Sequence, residues 1–183
     1  MKRLTAFLLV FSLALYLAFF PATARPEEKL LPDSWEVHFS PNGDCTAVII
    51  KELTKARRSI FVQAYSFTSA PIAKALLGAN KRGVKVEVIL DKSQQRQKYS
   101  SVAFFVNAGI PIRIDAAHAI AHNKVIIIDG ETVITGSFNF TRAAEEKNAE
   151  NLLVIRDKKL AALYIKNWQA HALHSEISTR RGG

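Results

Sequence analysis

Residues 122–140 read HNKVIIIDGETVITGSFNF and carry the clearest structural pattern in the 183-residue chain. The run from Val125 to Ile128 is uninterrupted and β-branched, which is typical of a strand covered on both faces of its sheet. Asp129-Gly130 is a strong signal for a two-residue hairpin turn, and residues 131–135 read as the returning strand. The pattern therefore predicts a β-hairpin inside a covered sheet.

Polar side chains at the open end of this hairpin are predicted to converge. If the turn has two residues, His122 falls opposite Ser137 on the facing strand. Lys124 shares the face of His122, and Asn139 lies one step beyond Ser137 on that face, because side chains alternate along a strand. A turn of odd length would flip the returning strand and break this arrangement.

The converging groups suit the chemistry of a phosphodiester. Lys124 offers a positive charge for non-bridging oxygens, Ser137 and Asn139 offer neutral donors, and His122 can act as nucleophile or general acid. No pair of carboxylates accompanies them at the spacing that a two-metal nuclease needs, so the sequence predicts no catalytic metal. A single Cys45 also excludes a cysteine-based zinc site.

Outside the hairpin, strands alternate with helices, which predicts an α/β domain with helices on both faces of the sheet. The predicted strands are 35–39, 59–67, 84–90, 110–114, 125–128, 131–135 and 152–155. The predicted helices are 42–58, 69–82, 93–108, 141–148 and 158–174. Tyr65 and Phe67 are placed in the core, and His118 is close enough to the hairpin to be a candidate for substrate contact.

The first residues have the pattern of a secretory signal. Lys2 and Arg3 precede an apolar run that ends in Ala22-Thr23-Ala24, which predicts a signal peptide over residues 1–24 cut after Ala24. The alternative is an uncleaved membrane anchor. Cleavage leaves a linker at 25–34, one domain at 35–176 and a disordered tail at 177–183. The expected location of the protein is then the periplasm or the medium, without stable membrane association.

The charge of the chain is compatible with a polyanionic substrate. The whole chain carries 25 basic and 16 acidic residues, a net charge of +9, and removal of Lys2 and Arg3 leaves +7. A secreted basic domain attracts nucleic acid, acidic lipid head groups or acidic glycans. The alternative is that this charge serves solubility alone, and composition does not choose between the two.

His122-x-Lys124-x4-Asp129, followed after six residues by Gly136-Ser137-Phe138-Asn139, resembles the signature of the phospholipase D superfamily. More narrowly, the chain is similar to the small bacterial secreted endonucleases of that superfamily. The resemblance covers most of residues 40–175 and includes further segments: residues 64–68 (AYSFT), 81–84 (KRGV), 109–111 (GIP) and 147–151 (KNAEN).

The resemblance implies a mixed sheet between helices and metal-independent cleavage through a phosphohistidine, with no cofactor. His122 would be the nucleophile, and Lys124 and Asn139 would hold phosphate oxygens. Ser137 would donate in the same site, and Glu150 would hydrogen-bond His122 and fix its tautomer. Asp129, in the turn, is assigned a structural role in a polar network.

Most members of the superfamily carry the signature twice in one chain, whereas this sequence has it once. The reaction needs one imidazole to attack phosphorus and another to protonate the leaving oxygen. A two-fold homodimer would bring two copies of His122 to one shared site, and two-fold dimers are the commonest assembly. The small endonucleases of the superfamily are built in this way, so the resemblance implies an active site at a dimer interface.

The leading hypothesis is a homodimeric, non-specific endonuclease that acts on DNA, with RNA as a further substrate. One alternative is a phospholipase D that hydrolyses phosphatidyl lipids with the same residues. A second is a membrane-anchored nuclease of the same superfamily, and a third is a nucleic-acid-binding module without catalysis. The third is disfavoured, since binding alone would not require a paired histidine.

Overall fold

The computed structural model describes residues 34–96 and 101–178, which lie within one compact unit. The predicted signal peptide and nearly all of the predicted linker lie outside the described residues. The strands are β1 (Ser34–Ser40), β2 (Ser59–Ala64), β3 (Lys85–Asp91), β4 (Ile112–Asp115), β5 (Lys124–Ile128), β6 (Thr132–Gly136), β7 (Glu150–Arg156) and β8 (Glu176–Ile177). The helices are α1 (Cys45–Lys55), α2 (Ala70–Lys81), α3 (Val102–Asn107), α4 (Arg142–Glu146) and α5 (Lys158–His174).

All eight strands form one mixed sheet, in the order β1-β7-β6-β5-β2-β3-β4-β8. β2, β3 and β4 run parallel to one another, and the other neighbouring pairs are antiparallel. The parallel strands are joined through α2 and α3, as crossover connections require. This arrangement confirms the predicted mixed sheet.

Helices cover both faces of the sheet. One face packs against α1 to α4 through a core that includes Ile49, Leu76 and Phe105. The other face packs against α5, where the rings of Trp168 and Phe61 are in tilted contact at 4.8 Å between centroids. The predicted two-sided packing is therefore confirmed.

None of the described helices is long and apolar enough to cross a membrane.

The predicted pairing register of the β5–β6 hairpin is wrong by one residue. Asp129 and Gly130 do form the turn, with φ of 56° and 70°, and Glu131 N donates to Ile128 O at 3.0 Å. However, Ile128 pairs with Thr132, so Glu131 is an extra residue in the returning strand. The carbonyl of Glu131 accepts instead from Asp157 N at 2.9 Å, outside the hairpin.

Two further segments differ from their predictions. Of the helix predicted over 93–108, the described residues form a 3₁₀ turn at Lys92–Gln95 and the short α3, and the Gln94 side chain accepts a hydrogen bond from Phe67 N at 3.1 Å. Ile177, placed in the tail by the sequence, pairs with Arg113 in β8. This strand was missed because two residues carry no alternating pattern of their own.

Candidate active site

The candidate site lies along one edge of the sheet, where four strand ends meet. β2, β5, β6 and β7 are successive antiparallel neighbours, so the ends of β2 and β6 and the starts of β5 and β7 share an edge. Backbone hydrogen bonds link the loops there: Tyr65 N donates to Asn123 O at 2.8 Å, and Phe140 N donates to Ser66 O at 3.2 Å. Strand topology thus gathers the signature residues, although the predicted 122–137 cross-strand pair does not form.

His122 and Lys124 flank the ring of Tyr65. The His122 and Tyr65 ring centroids are 4.6 Å apart, and Lys124 Nζ lies 5.1 Å from the Tyr65 centroid. His122 is exposed, whereas Lys124 is only 7% exposed. Burial lowers the pKa of Lys124, and the negative charge of Glu150 partly opposes this shift. The site therefore pairs an accessible imidazole with a desolvated ammonium, whose charge acts more strongly than it would in water.

Ser137 and Asn139 follow the end of β6 in a segment held against β7. Ser137 N donates to Asn151 O at 3.1 Å, and Ser137 Oγ accepts from Asn151 N at 3.0 Å. Because that bond uses Oγ only as an acceptor, the exposed hydroxyl retains a proton to donate. The Oδ1 of Asn139 is buried and has no hydrogen-bond partner in the described part of the chain. Each of the two side chains therefore keeps a donor or acceptor that is not hydrogen-bonded to the described residues.

Glu150 begins β7 at the same edge. Its Oε1 accepts from Asn148 Nδ2 at 3.0 Å, and its charge acts on Lys124. The predicted hydrogen bond from His122 to Glu150 is not among those made by the described residues. The role of Glu150 in orienting His122 therefore stays a prediction, whereas its proximity to the lysine is observed.

Asp91, at the end of β3, positions the loop that carries His122. Its Oδ2 accepts from Ala121 N at 2.8 Å, immediately before the histidine. Burial disfavours the charged form of Asp91, but hydrogen bonds from Ser93 and Ala121 outweigh it and lower its pKa. Asp91 is not among the site residues predicted from the sequence. The sequence does contain a signal for Asp91, since an acidic residue stands at the end of a buried strand that is parallel to β2.

Asp129 lies at the opposite end of β5 from the site. Its carboxylate accepts from the backbone N–H groups of Arg57, Arg58 and Ser59 at 2.7–3.0 Å. Asp129 follows Lys124 by five positions along the strand, about 16 Å at the usual rise. Asp129 therefore lies away from the reacting group of His122, and its structural role stays a prediction.

Two residues have surroundings that the sequence did not predict. Tyr65, expected in the core, is half-buried and contacts both His122 and Lys124. His118, a candidate for substrate contact, is instead hydrogen-bonded to Asp115 at 3.2 Å and stacked on His171. Tyr65 follows β2 directly at the site edge, and that position could have identified it. The surroundings of His118 depend on α5, which is distant in sequence.

The gathered groups are those of nucleophilic attack on phosphorus. An exposed imidazole can attack, a buried ammonium can neutralise non-bridging oxygens, and the hydroxyl and amide can donate further hydrogen bonds. Within the described ranges, the group of side chains that could hold a metal ion surrounds Asp115, two strands from β2, and not His122. The arrangement around His122 fits covalent chemistry carried by side chains.

Comparisons with known proteins agree with this geometry. A family model described as cardiolipin synthase, PLD-like domain, matches residues 49–172. Phospholipase D of Rickettsia typhi is 49% identical over 130 residues, which are 71% of this chain and 64% of that protein. Mitochondrial cardiolipin hydrolase of Canis lupus familiaris is 29% identical over 161 residues, 82% of this chain and 63% of that protein. The matches thus span less than two-thirds of these two relatives.

Two solved structures match over nearly their whole length. One is Nuc from Salmonella typhimurium, described as a phospholipase D family member, with 41% identity and a TM-score of 0.77. The match covers 81% of this chain and 99% of that one. The other is NucT from Helicobacter pylori, with 25% identity and a TM-score of 0.72, covering 79% and 99%. Their chains therefore hold little beyond the domain described above.

Proposed function

The chain belongs to the phospholipase D superfamily, a family of phosphodiesterases, and from this premise we propose that it is a metal-independent endonuclease. Its substrate is DNA, with RNA as a further candidate. The observation that carries this proposal is the exposed His122 beside the buried Lys124 at the sheet edge. The near-complete match to Nuc and NucT and the net charge of +7 after cleavage at Ala24 support a nucleic-acid substrate.

The proposed reaction proceeds in two displacements at phosphorus. A ring nitrogen of His122 attacks phosphorus, the bond to the leaving oxygen breaks, and a second imidazole donates its proton to that oxygen. Water then attacks the phosphohistidine, gives a proton to the second imidazole, and displaces the His122 nitrogen. Lys124, Ser137 and Asn139 hold the non-bridging oxygens, whose charge increases in each transition state. The products are a phosphomonoester and a hydroxyl end.

We assign the second imidazole to the partner subunit's His122 in a homodimer. One face of β1 exposes Trp35, Val37 and Phe39, which are 62%, 40% and 62% exposed. The same face of the sheet runs on through β7 and β6. There α5 packs on Val133 of β6, but it does not cover the exposed side chains of β1. Phe39 lines an open cavity together with Ser137 and Glu150. A second copy seated on this apolar face would therefore lie next to the site.

The second candidate function is hydrolysis of phosphatidyl lipids. The relatives named phospholipase D and mitochondrial cardiolipin hydrolase favour it, and the same residues would carry out the reaction. If residues 1–24 are not removed, the proposal is instead a membrane-anchored nuclease. We propose cleavage after Ala24 and a periplasmic or secreted protein, and the amino-terminal sequence of the purified protein tests this directly.

Cleavage assays with and without EDTA distinguish these functions. The substrates are plasmid DNA, single-stranded DNA, RNA, and vesicles of phosphatidylcholine or cardiolipin. We expect DNA cleavage that resists EDTA and falls by about 10³-fold or more in His122→Ala. His38→Ala is the matched control, since His38 lies in β1 and is not part of the site. Activity lost in EDTA and restored by Mg²⁺ would contradict the proposal, and lipid hydrolysis without DNA cleavage would select the second candidate.

A further inference from the structure

A second cluster of reactive side chains lies at the end of β4, outside the candidate active site. The Asp115 cluster consists of Asp115, His118, His171 and His174. Asp115 ends β4 and His118 lies in the following loop. His171 and His174 lie three residues apart in the last turn of α5, and this spacing places both side chains on one side of the helix.

The geometry of the cluster is close to that of a four-ligand metal site. Asp115 Oδ2 lies 2.7 Å from His171 Nδ1 and 3.3 Å from His174 Nε2, and Oδ1 lies 3.2 Å from His118 Nδ1. One donor atom from each residue lies within 4.8 Å of all the others. In a tetrahedral zinc site with bonds of about 2.0–2.1 Å, neighbouring ligand atoms are roughly 3.4 Å apart. Small side-chain adjustments would bring the four atoms to these distances.

The charges in the cluster also suit a divalent cation. Asp115 is fully buried, and its carboxylate lies between the three histidine side chains. All three imidazoles lie within 3.3 Å of the single oxygen Oδ2, and the ring centroids are 4.8–5.2 Å apart. Three imidazole rings around one carboxylate are a ligand set for a transition metal.

We propose that the Asp115 cluster binds one Zn²⁺ ion per chain through these four side chains. Imidazole nitrogen suits zinc, whereas Mg²⁺ and Ca²⁺ prefer oxygen ligands. The side chains of His118 and His174 are 47% and 37% exposed, which gives the ion a route from solvent. Four protein ligands leave no open position for water, so the ion is structural and takes no part in phosphodiester hydrolysis.

The expected role of this ion is to join the loop before His122 to the last helix. His118 lies four residues before His122, and its carbonyl accepts from Lys92 Nζ at 2.8 Å. His171 and His174 belong to α5, whose Ala172 carbonyl accepts from Arg113 of β4 at 3.3 Å. A bound ion would thus link Asp115 and His118 to α5. This link would restrict the motion of residues 116–121, which lead to the nucleophile.

Zinc binding is tested on tag-free, full-length protein that has been stripped with EDTA and dialysed. Titration with ZnSO₄, followed by calorimetry and by the thermal midpoint Tm, is expected to show one ion per chain and a rise in Tm. MgCl₂ is expected to leave Tm unchanged. Cobalt substitution is expected to give the visible absorption of a four-coordinate ion, a signal that does not depend on enzymatic activity.

Single histidine substitutions identify the ligands. His118→Ala and His174→Ala are expected to weaken zinc binding by at least about tenfold, since even outer partners of metal ligands contribute that much. Both side chains are partly exposed, so neither change should prevent folding. His38→Ala, which removes a histidine outside the cluster, should bind zinc as the unaltered chain does. An unchanged Tm in zinc, or equal affinities in all four proteins, would overturn the proposal whatever the substrate of the enzyme.

Discussion

At the scale of single residues, Asp129 shows how the family signature supports the fold at a distance from the chemistry. Its carboxylate accepts from three consecutive backbone N–H groups, at residues 57–59, and its own N–H donates to Ser59 O at 2.8 Å. These bonds join the start of β2 to the end of β5. Burial disfavours the charged carboxylate, but the three hydrogen bonds outweigh it and lower the pKa of Asp129 below its ordinary value of 3.8.

Asp129→Asn is expected to destabilise the protein at pH 7 by about 1–2 kcal/mol, since charge-assisted hydrogen bonds are lost at a half-buried site. Asn tolerates the positive φ of this position, so the change acts mainly on the hydrogen bonds. Because the pKa is lowered in the folded state, the stabilisation is complete above about pH 3.8 and is lost as pH falls through the folded pKa. Urea unfolding at several pH values measures the difference.

Glu131→Gln is the control for this experiment, since it removes a carboxylate from the same loop. Glu131 pairs with the exposed side chains of Arg58 and Lys158, and such surface pairs contribute little. Its unfolding midpoint should stay close to that of the unaltered protein. A loss of stability in Asp129→Asn that is independent of pH, or no loss at pH 7, would refute the role given to Asp129.

At the scale of elements, the end of β6 determines where the signature residues lie. Gly136 is paired with Leu152 of β7, with φ of 143°, a conformation that side chains rarely adopt. A Cβ atom there would lie 2.2 Å from Asn151 O. The absence of a side chain lets β6 approach β7 closely, and the hydrogen bonds between Ser137 and Asn151 depend on that approach.

Gly136→Ala is therefore expected to cost several kcal/mol of stability and to reduce activity by displacing Ser137, because both the backbone strain and the clash with a carbonyl must be relieved. Gly78→Ala, in the middle of α2, is the matched control. A Cβ atom there meets only Arg82 Nη1 at 3.8 Å, and alanine should stabilise the helix by roughly 0.5–1 kcal/mol. Thermal unfolding and DNA cleavage of both variants test this, and a Gly136→Ala protein as stable and active as the unaltered one would contradict it.

The helices and strands differ in how well the sequence alone predicts them. Strands with continuous apolar runs such as residues 125–128 were predicted, and α5 was predicted at its observed bounds, since each has a strong local periodicity. The hairpin register was missed because Glu131 bonds to Asp157, a contact 26 residues away. In the segment predicted as a helix from residue 93, Gln94 likewise contacts Phe67, which lies 27 residues earlier in the chain.

The sequence identifies the residues of the candidate site, but the geometry that brings them together is not the predicted one. His122, Lys124, Ser137 and Asn139 were identified by type and spacing, and the predicted cross-strand pairing that was to unite them does not form. The ends of four strands unite them instead. The contacts that Tyr65 and Asp91 make at the site, and those that join Asp115 to α5, could not be predicted from local patterns, since they connect residues 30–59 positions apart.

At the scale of the whole molecule, each chain supplies one His122 and one uncovered apolar face. α5 packs against Val125, Ile127 and Val133 of the sheet, while Trp35 and Val37 of β1 stay exposed. Burial of such a face against a second copy would stabilise association by roughly 25 cal/mol per Å² of apolar surface, before the entropic cost of binding. In our proposal, assembly of the dimer and completion of the active site are therefore one event.

Trp35→Asp is expected to shift the protein to monomers and to lower nuclease activity in parallel, because it places a charge in the proposed interface. Trp35 lies at the end of β1 away from Glu150, so the change does not touch the site. Leu173→Asp is the control, since Leu173 is 90% exposed and lies near the end of α5, by the opposite edge of the sheet. Sedimentation and cleavage rates measure both effects. A Trp35→Asp monomer with full activity would show that one chain is sufficient.

Mixed dimers test the central claim, a single active site built from two copies of His122, most directly. The unaltered chain and His122→Ala are co-expressed in known proportions, and cleavage of DNA in EDTA is measured per total chain. A shared site makes every mixed dimer inactive, so equal proportions should leave about one quarter of the activity. Activity that falls in proportion to the unaltered fraction, to about one half at equal proportions, would mean that each chain works alone and would contradict the account.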